Sequence, residues 1–199
     1  MPLTPVANDQ IATIVTHLEM RARPMPAPIP PAPLRLKPWK IPPPDAYRTL
    51  FRRVGERWLW FSRLAMSDAE LTAIIHDPAV EVYAVTDPRG VEVGLLELDF
   101  RSMPDCELAY LGLIPELTGK GLGKWLMAQA KSLAWRKGVE RFWVHSCTLD
   151  SPAALPFYIK SGFVPFAREI ETFADPRLAG LLRPDAAPQV PVLGQAPSA

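Results

Sequence analysis

A chain of 199 residues, 48% hydrophobic and 22% charged, is long enough to bury one full globular core. Its 22 basic and 21 acidic residues leave a net charge of +1 with no long single-sign run, which weighs against nucleic acid or an anionic membrane as partner. No apolar run approaches the ~18 residues of a membrane helix, and MPLTPVANDQ lacks a basic segment followed by an apolar one, so a cytoplasmic enzyme or binding protein is expected. Cys106 and Cys147, far apart and without clustered histidines, read as reduced buried thiols; no metal site is expected.

Proline divides the chain. Of 24 prolines, twelve lie in residues 1–45, seven in 46–174 and five in 176–199. Residues 23–44, RPMPAPIPPAPLRLKPWKIPPP, lack the backbone donors for a helix or a central strand and should run extended as a surface strap. The expected organisation is a strand or helix plus strap over 1–44, a folded domain over 45–174 and an irregular tail over 175–199.

Before the strap, Ile14, Thr16, Leu18 and Met20 alternate as in a strand, while Ile11, Ile14, Val15 and Leu18 also fit helical spacing, so both readings stand. Tyr47, Leu50, Phe51 and Val54 share one face of a helix that Gly55 ends. Ser67 and Glu70 have capping-box spacing for a second helix, which carries Leu71, Ile74 and Ile75 inward and stops before Pro78. Two helices thus precede any central sheet. Val80, Val82 and Ala84 then alternate into TDPRG, a turn with Pro88 second and Gly90 fourth, and VEVGLLELDF returns as the other arm of a hairpin. On that arm Glu97 and Asp99 share a face that reads as solvated. CELAYLGLI (106–114) is the next strand; after it Leu122, Leu126, Ala130 and Leu133 keep helical intervals until Gly138. RFWVHSC (141–147) is a strand whose aromatic run reads as core, including His145 and Cys147. Ser151 reads as the cap, and Pro152 as the first residue, of a short helix that Gly162 ends, with Pro156 in apparent conflict inside it. FVPFAREIETF supplies the last strand. WLWFSRL (58–64) is the densest aromatic stretch and reads as a packing cluster.

TGKGLGK (118–124) stands between a strand and a helix. A Walker loop would need glycine at position 118 and Ser or Thr at 125; Thr118 and Trp125 stand there instead. A dinucleotide fingerprint would need Gly-x-Gly-x-x-Gly, whereas Gly119, Gly121 and Gly123 alternate. What survives is general: glycines allow close backbone approach, and free N–H groups at a helix start favour an anion such as pyrophosphate. A tight turn needing glycine on steric grounds alone is the competing reading.

The order of helices, hairpin, strand, glycine turn, helix, strand and short helix resembles the GNAT superfamily of acyl-CoA-dependent N-acetyltransferases. Two segments carry the resemblance: Thr118-Gly119-Lys120-Gly121-Leu122-Gly123, in frame with the family's Gln/Arg-x-x-Gly-x-Gly/Ala, and ALPFYIKSGF at 154–163. The resemblance implies an α/β (α+β) fold: a mixed, mostly antiparallel twisted sheet flanked by helices and splayed between its fourth and fifth strands. It also implies acetyl-CoA as acyl donor, no metal, and an amine acceptor, small molecule or protein lysine, in a ternary complex. Thr118 replaces the family's usual Arg or Gln, and Ser151 an Asn that often contacts the coenzyme.

Under the resemblance, Thr118, Gly119, Lys120, Gly121, Leu122, Gly123 and Lys124 hold the pyrophosphate, and Leu111, Gly112 and Leu113 pair with the pantetheine arm. Ser151 adds a contact, and a main-chain N–H near Leu113 faces the oxyanion. An alkylamine, with a pKa near ~10.4, needs a base, for which Glu107 occupies the family position. Tyr158, a phenol protonated at neutral pH, matches the family's acid for the departing thiolate. A non-catalytic acyl-CoA sensor would keep the glycine turn and dispense with Glu107 and Tyr158. The acceptor's identity and the oligomeric state stay open.

Overall fold

The N-terminal segment that fits two periods is a strand, β1 (Gln10–Met20), in a computed structural model that describes residues 3–193. Its ambiguity has a cause. Ile11, Thr13 and Val15 are buried on one face of the sheet and Thr16, Leu18 and Met20 on the other, so the alternation changes phase mid-strand, close to a bulge at His17/Leu18. Ile14, which the sequence counts as inward, is 43% exposed.

The remaining elements follow as β2 (Arg35–Pro38), α1 (Pro44–Gly55), α2 (Asp68–Ile75), β3 (Val80–Thr86), β4 (Glu92–Asp99), β5 (Asp105–Leu113), α3 (Leu122–Ala134), β6 (Arg141–Cys147), α4 (Ala154–Lys160) and β7 (Val164–Ala174). One seven-stranded sheet runs β2-β3-β4-β5-β6-β1-β7, antiparallel throughout except for β5 with β6. The expectation that two helices precede any central strand is therefore corrected: the first element of the chain is inserted between β6 and β7. The proline-rich strap is extended, and its residues Arg35–Pro38 pair with β3 as an edge strand, where missing N–H groups are tolerated.

Local signals explain several boundaries. Ser67 and Glu70 form both bonds of the capping box at the start of α2. Gly90, at φ 88°, closes the β3–β4 turn by donating to the Asp87 carbonyl. α3 ends at Ala134, and Gly138, at φ 91°, instead shapes the turn into β6. The cap expected at Ser151 is also corrected. α4 begins at Ala154 after Ala153, and the conflict at Pro156 disappears, because a proline in the first turn has an N–H position with no intrahelical acceptor to miss.

Two apolar layers cover the sheet. One packs Leu126 and Ala130 of α3 and Tyr158 of α4 against Leu98, Leu108, Phe142 and Val144. The other packs Tyr47, Leu50, Phe51 and Val54 of α1 and Leu71 and Ile75 of α2 against Val82 and Leu95. Leu182, Ala186 and Ala187 of the irregular tail are buried in this second layer. Each fully buried Val, Leu, Ile or Phe in these layers contributes roughly 1.5–3 kcal/mol. No helix among the described residues is long and apolar enough to cross a membrane.

Candidate active site

β5 and β6 pair only where Asp105–Glu107 meets Arg141–Trp143; beyond that they part. Ala109 is the extra residue of a bulge, since Glu97 pairs with Tyr110 and Leu98 with Leu108, and the bulge bends β5 away from β6. The β6-facing edge of Leu108–Leu113 is thereby left without a strand partner, and a cleft of about 480 Å³ fills the gap. Leu111, Gly112 and Leu113 line it, as do Thr118, Gly119, Gly121, Gly123, Lys124, Ser151 and Tyr158. Its walls belong to both apolar layers, Leu111, Leu113 and Phe157 to that of α3 and α4, Trp60, Tyr110 and Phe173 to that of α1 and α2, so it runs through the sheet from face to face.

At the first face stands the glycine turn. The Thr118 N–H donates to the Pro115 carbonyl (3.1 Å) and the Lys124 N–H to the Gly121 carbonyl (3.2 Å). Among the described residues, the N–H groups of Gly119, Lys120, Gly121, Leu122 and Gly123 have no acceptor. The Thr118 hydroxyl donates to the Pro115 carbonyl and so is engaged within the turn. Gly119 and Gly121, both at φ 76°, are glycines for backbone reasons. Gly123 is different: it is helical, and an added Cβ would meet only the Phe157 ring, at 3.7 Å. Nothing in the protein's own packing demands glycine there.

Tyr158 is 8% exposed, and burial pushes its phenol well above the ordinary value, so it is protonated at neutral pH. No described residue accepts or donates a hydrogen bond at its hydroxyl, on a side chain that lines the cleft. Ser151 accepts from the Ala153 N–H (3.3 Å), a local turn contact.

Glu107 does not line this cleft. It lies in a neighbouring recess of about 230 Å³ with Asp99, Asp105 and Trp143, and its Oε1 is 3.5 Å from Nδ1 of His145. His145, read from sequence as core, lines the cleft with its side chain 46% exposed. The Glu107 carboxylate raises the imidazole's pKa above the ordinary value, against burial, with Asp150 and Glu171 adding to the effect. Cys147 also lines the cleft, and burial raises its thiol, which keeps it protonated. Asp150 is tied down by Trp60 Nε1 (3.3 Å), the Ser146 hydroxyl (2.8 Å) and the Cys147 N–H (3.0 Å).

At the second face the aromatic stretch after α1 lines the cleft with Trp58, Trp60 and Phe61. Leu59 between the tryptophans sits in the left-handed region at φ 55°, a strained placement that turns the chain back on itself. Trp60 packs so closely on Gly55 and Gly112 that an added Cβ would lie 2.4 Å from it at Gly55, and at Gly112 would lie 3.2 Å from it and 2.5 Å from Val54. Gly112 therefore has a packing reason independent of any ligand. Behind Tyr110, Arg63 and Glu97 form a buried ion pair, with the Tyr47 hydroxyl donating to the second carboxylate oxygen and the guanidinium 5.2 Å from the Tyr110 ring centre. The solvated reading of Glu97 and Asp99 is thus corrected: Glu97 is fully buried, and Asp99, 8% exposed, is held by Arg101. The sequence pattern failed because α1 covers this face with a tyrosine and the α1–α2 connection with an arginine, neither of which alternation alone reveals.

The comparisons agree with this arrangement. No curated protein sequence matches the chain. Among solved structures, a GCN5-related N-acetyltransferase from Sphaerobacter thermophilus superposes with a TM-score of 0.56 at 13% identity, covering 81% of this chain and 51% of that one. A tandem GNAT protein from the clavulanic acid biosynthesis pathway does so with a TM-score of 0.56 at 17% identity, covering 81% and 53%. A spermidine N-acetyltransferase from Vibrio cholerae gives a TM-score of 0.54 at 20% identity, covering 73% and 95%. This chain thus spans about half the length of the first two; at such identities the likeness is one of fold. The family model described as acetyltransferase (GNAT) family matches residues 33–163, which include the whole glycine turn, the diverging strands and Tyr158, and on that match this chain belongs to the GNAT acetyltransferase family.

Proposed function

We propose that the protein is an N-acetyltransferase that moves an acetyl group from acetyl-CoA directly to a primary amine. The observation that carries this reading is the row of free N–H groups in the glycine turn, with Gly119, Gly121 and Gly123 lining the same cleft as Tyr158. Those amides and the start of α3 favour the coenzyme's pyrophosphate, and the unpaired edge of Leu111–Leu113 offers its pantetheine amides a surrogate strand.

The chemistry then divides among few groups. The amine arrives as ammonium and loses a proton to His145, which Glu107 orients and makes more basic from behind. Glu107, the base expected from sequence, thereby acts through the imidazole. The amine nitrogen attacks the thioester carbonyl; the C–N bond forms, the C–S bond breaks, Tyr158 gives its proton to the departing thiolate, and the second proton lost by the acetylated nitrogen restores the phenol, while His145 passes the first to solvent. The products are an acetamide, free coenzyme A and one proton released to solvent.

Tyr158→Phe tests the reading. Thiol release from acetyl-CoA in the presence of an amine mixture should fall about 100-fold or more, with acetyl-CoA binding by calorimetry retained. Tight acetyl-CoA binding by wild type without amine-dependent thiol release would instead identify a sensor. Absence of acetyl-CoA binding would refute the site altogether.

A further inference from the structure

The cleft's second face is chemically unlike its first. Trp58, Trp60, Phe61, Tyr110 and Phe173 line it, with Phe61 and Phe173 in tilted contact at 4.7 Å and Trp60 and Tyr110 at 5.2 Å between ring centres. Such walls favour a flat apolar body and, at their ring faces, a cation. The charges sharpen this. Among the described residues lining the cleft, the carboxylates are Asp150 and Glu171 and the cationic side chains are Lys124, in the glycine turn, and His145. Arg63 lies behind Tyr110, paired with Glu97, and does not face the cleft. Arg57 stands over the Trp58 ring, its guanidinium 5.6 Å from the ring centre, but is not part of the lining, so among the described residues no guanidinium or ammonium lines the aromatic end to hold the carboxylate of an amino acid.

A linear polyamine fits no better. It needs several free carboxylates spaced along its length, whereas Asp150 already accepts three hydrogen bonds, from Trp60, Ser146 and Cys147. Glu171 is left as the one carboxylate in the lining without such partners, two residues before Phe173 on β7, and its charge acts on His145.

We infer that the acceptor is an arylalkylamine: one primary ammonium group, guided by Glu171 towards His145, on an aromatic body held between the tryptophan-rich loop and Phe173. The inference rests on the transferase reading, names the acceptor of that same site, and also makes a claim about binding alone. The amine nitrogen takes the acetyl carbon from the coenzyme's sulfur, while the ring stays in the aromatic end.

Because Trp58 and Trp60 line the chamber, binding is readable by tryptophan fluorescence without turnover. Wild type, Phe173→Ala and Glu171→Gln are titrated with 2-phenylethylamine, spermidine and a lysine-containing peptide, with thiol release from acetyl-CoA followed in parallel. The expected result is saturable quenching by 2-phenylethylamine, a kcat/KM for it at least 100-fold above those of the other two, and a Kd raised tenfold or more in each variant. Thermal unfolding verifies that both variants are folded. Preference for spermidine or the peptide, or undiminished 2-phenylethylamine binding in both variants, overturns the inference even where acetyl-CoA is consumed. Specific 2-phenylethylamine binding with no thiol release for any amine supports the aromatic site and sinks the transferase reading instead.

Discussion

At the α3 end of the cleft the lining comes from a glycine turn with free main-chain amides, Gly119, Gly121 and Gly123, while Lys120 and Leu122 lie outside the lining; at the α1–α2 end it is side chains gathered from the 58–62 loop, β5, β6 and β7. The amide end needs only the right backbone, which glycines at φ 76° supply. The aromatic end needs support from behind, which the Arg63–Glu97 pair, the Tyr47 hydroxyl and the close fit of Trp60 on Gly55 and Gly112 provide. A ligand common to a whole family suits the first construction. A ligand particular to one member suits the second, because its walls change with a few side chains.

Breaking the aromatic end should have the largest effect on stability. Arg63→Ala strands a fully buried carboxylate and is expected to lower unfolding stability by about 3–5 kcal/mol, measured by urea titration. Gly123→Ala breaks the other end without harming the fold. The new methyl meets only Phe157 at 3.7 Å, and alanine favours the helix by roughly 0.5–1 kcal/mol, so the melting temperature should hold or rise. Its acetyl-CoA affinity, by calorimetry, should nonetheless fall about tenfold, ~1.4 kcal/mol. Gly121→Ala separates backbone from ligand at the same turn: its φ of 76° penalises a side chain by about 1 kcal/mol, so here stability and affinity should drop together.

The smallest effect is a shift along the pH axis. The Glu107 carboxylate raises the His145 pKa, so the imidazole of the wild type becomes a free base at higher pH than an ordinary histidine. kcat/KM should accordingly rise with pH through an inflection above ~6.5. In Glu107→Gln the imidazolium loses its partner and the inflection should move to lower pH, with a reduced plateau because the ring is less firmly oriented. An inflection unmoved by this substitution would show that the two residues do not act as a pair.

Legibility from sequence followed the same divide. Tyr158 and the glycine turn belong to short contiguous patterns, and the structure brings them to one cleft. The capping box at Ser67 and Glu70 and the TDPRG turn were equally local. Glu107 was named from its strand position, but where its carboxylate points depends on how β5 and β6 part, and that leaves it behind His145. Trp60 and Asp150, 90 positions apart, gave no sign of their hydrogen bond, although the glycine at 55 just before the aromatic run was a trace of the close fit. Glu171 and Phe173 reach the cleft on a strand whose neighbour is the first strand of the chain, a pairing across more than 150 residues that alternation cannot register.

The sequence by itself determined the order of elements from α1 to β7 and the backbone freedom of the glycine turn, because these depend on neighbours within a few residues. Only the tertiary structure decided that β1 enters the middle of the sheet, that Glu97 is buried against Arg63, and that His145 stands between Glu107 and the cleft. Those outcomes depend on which surfaces pack together and on where two strands cease to pair, and such free energies arise only when distant segments meet.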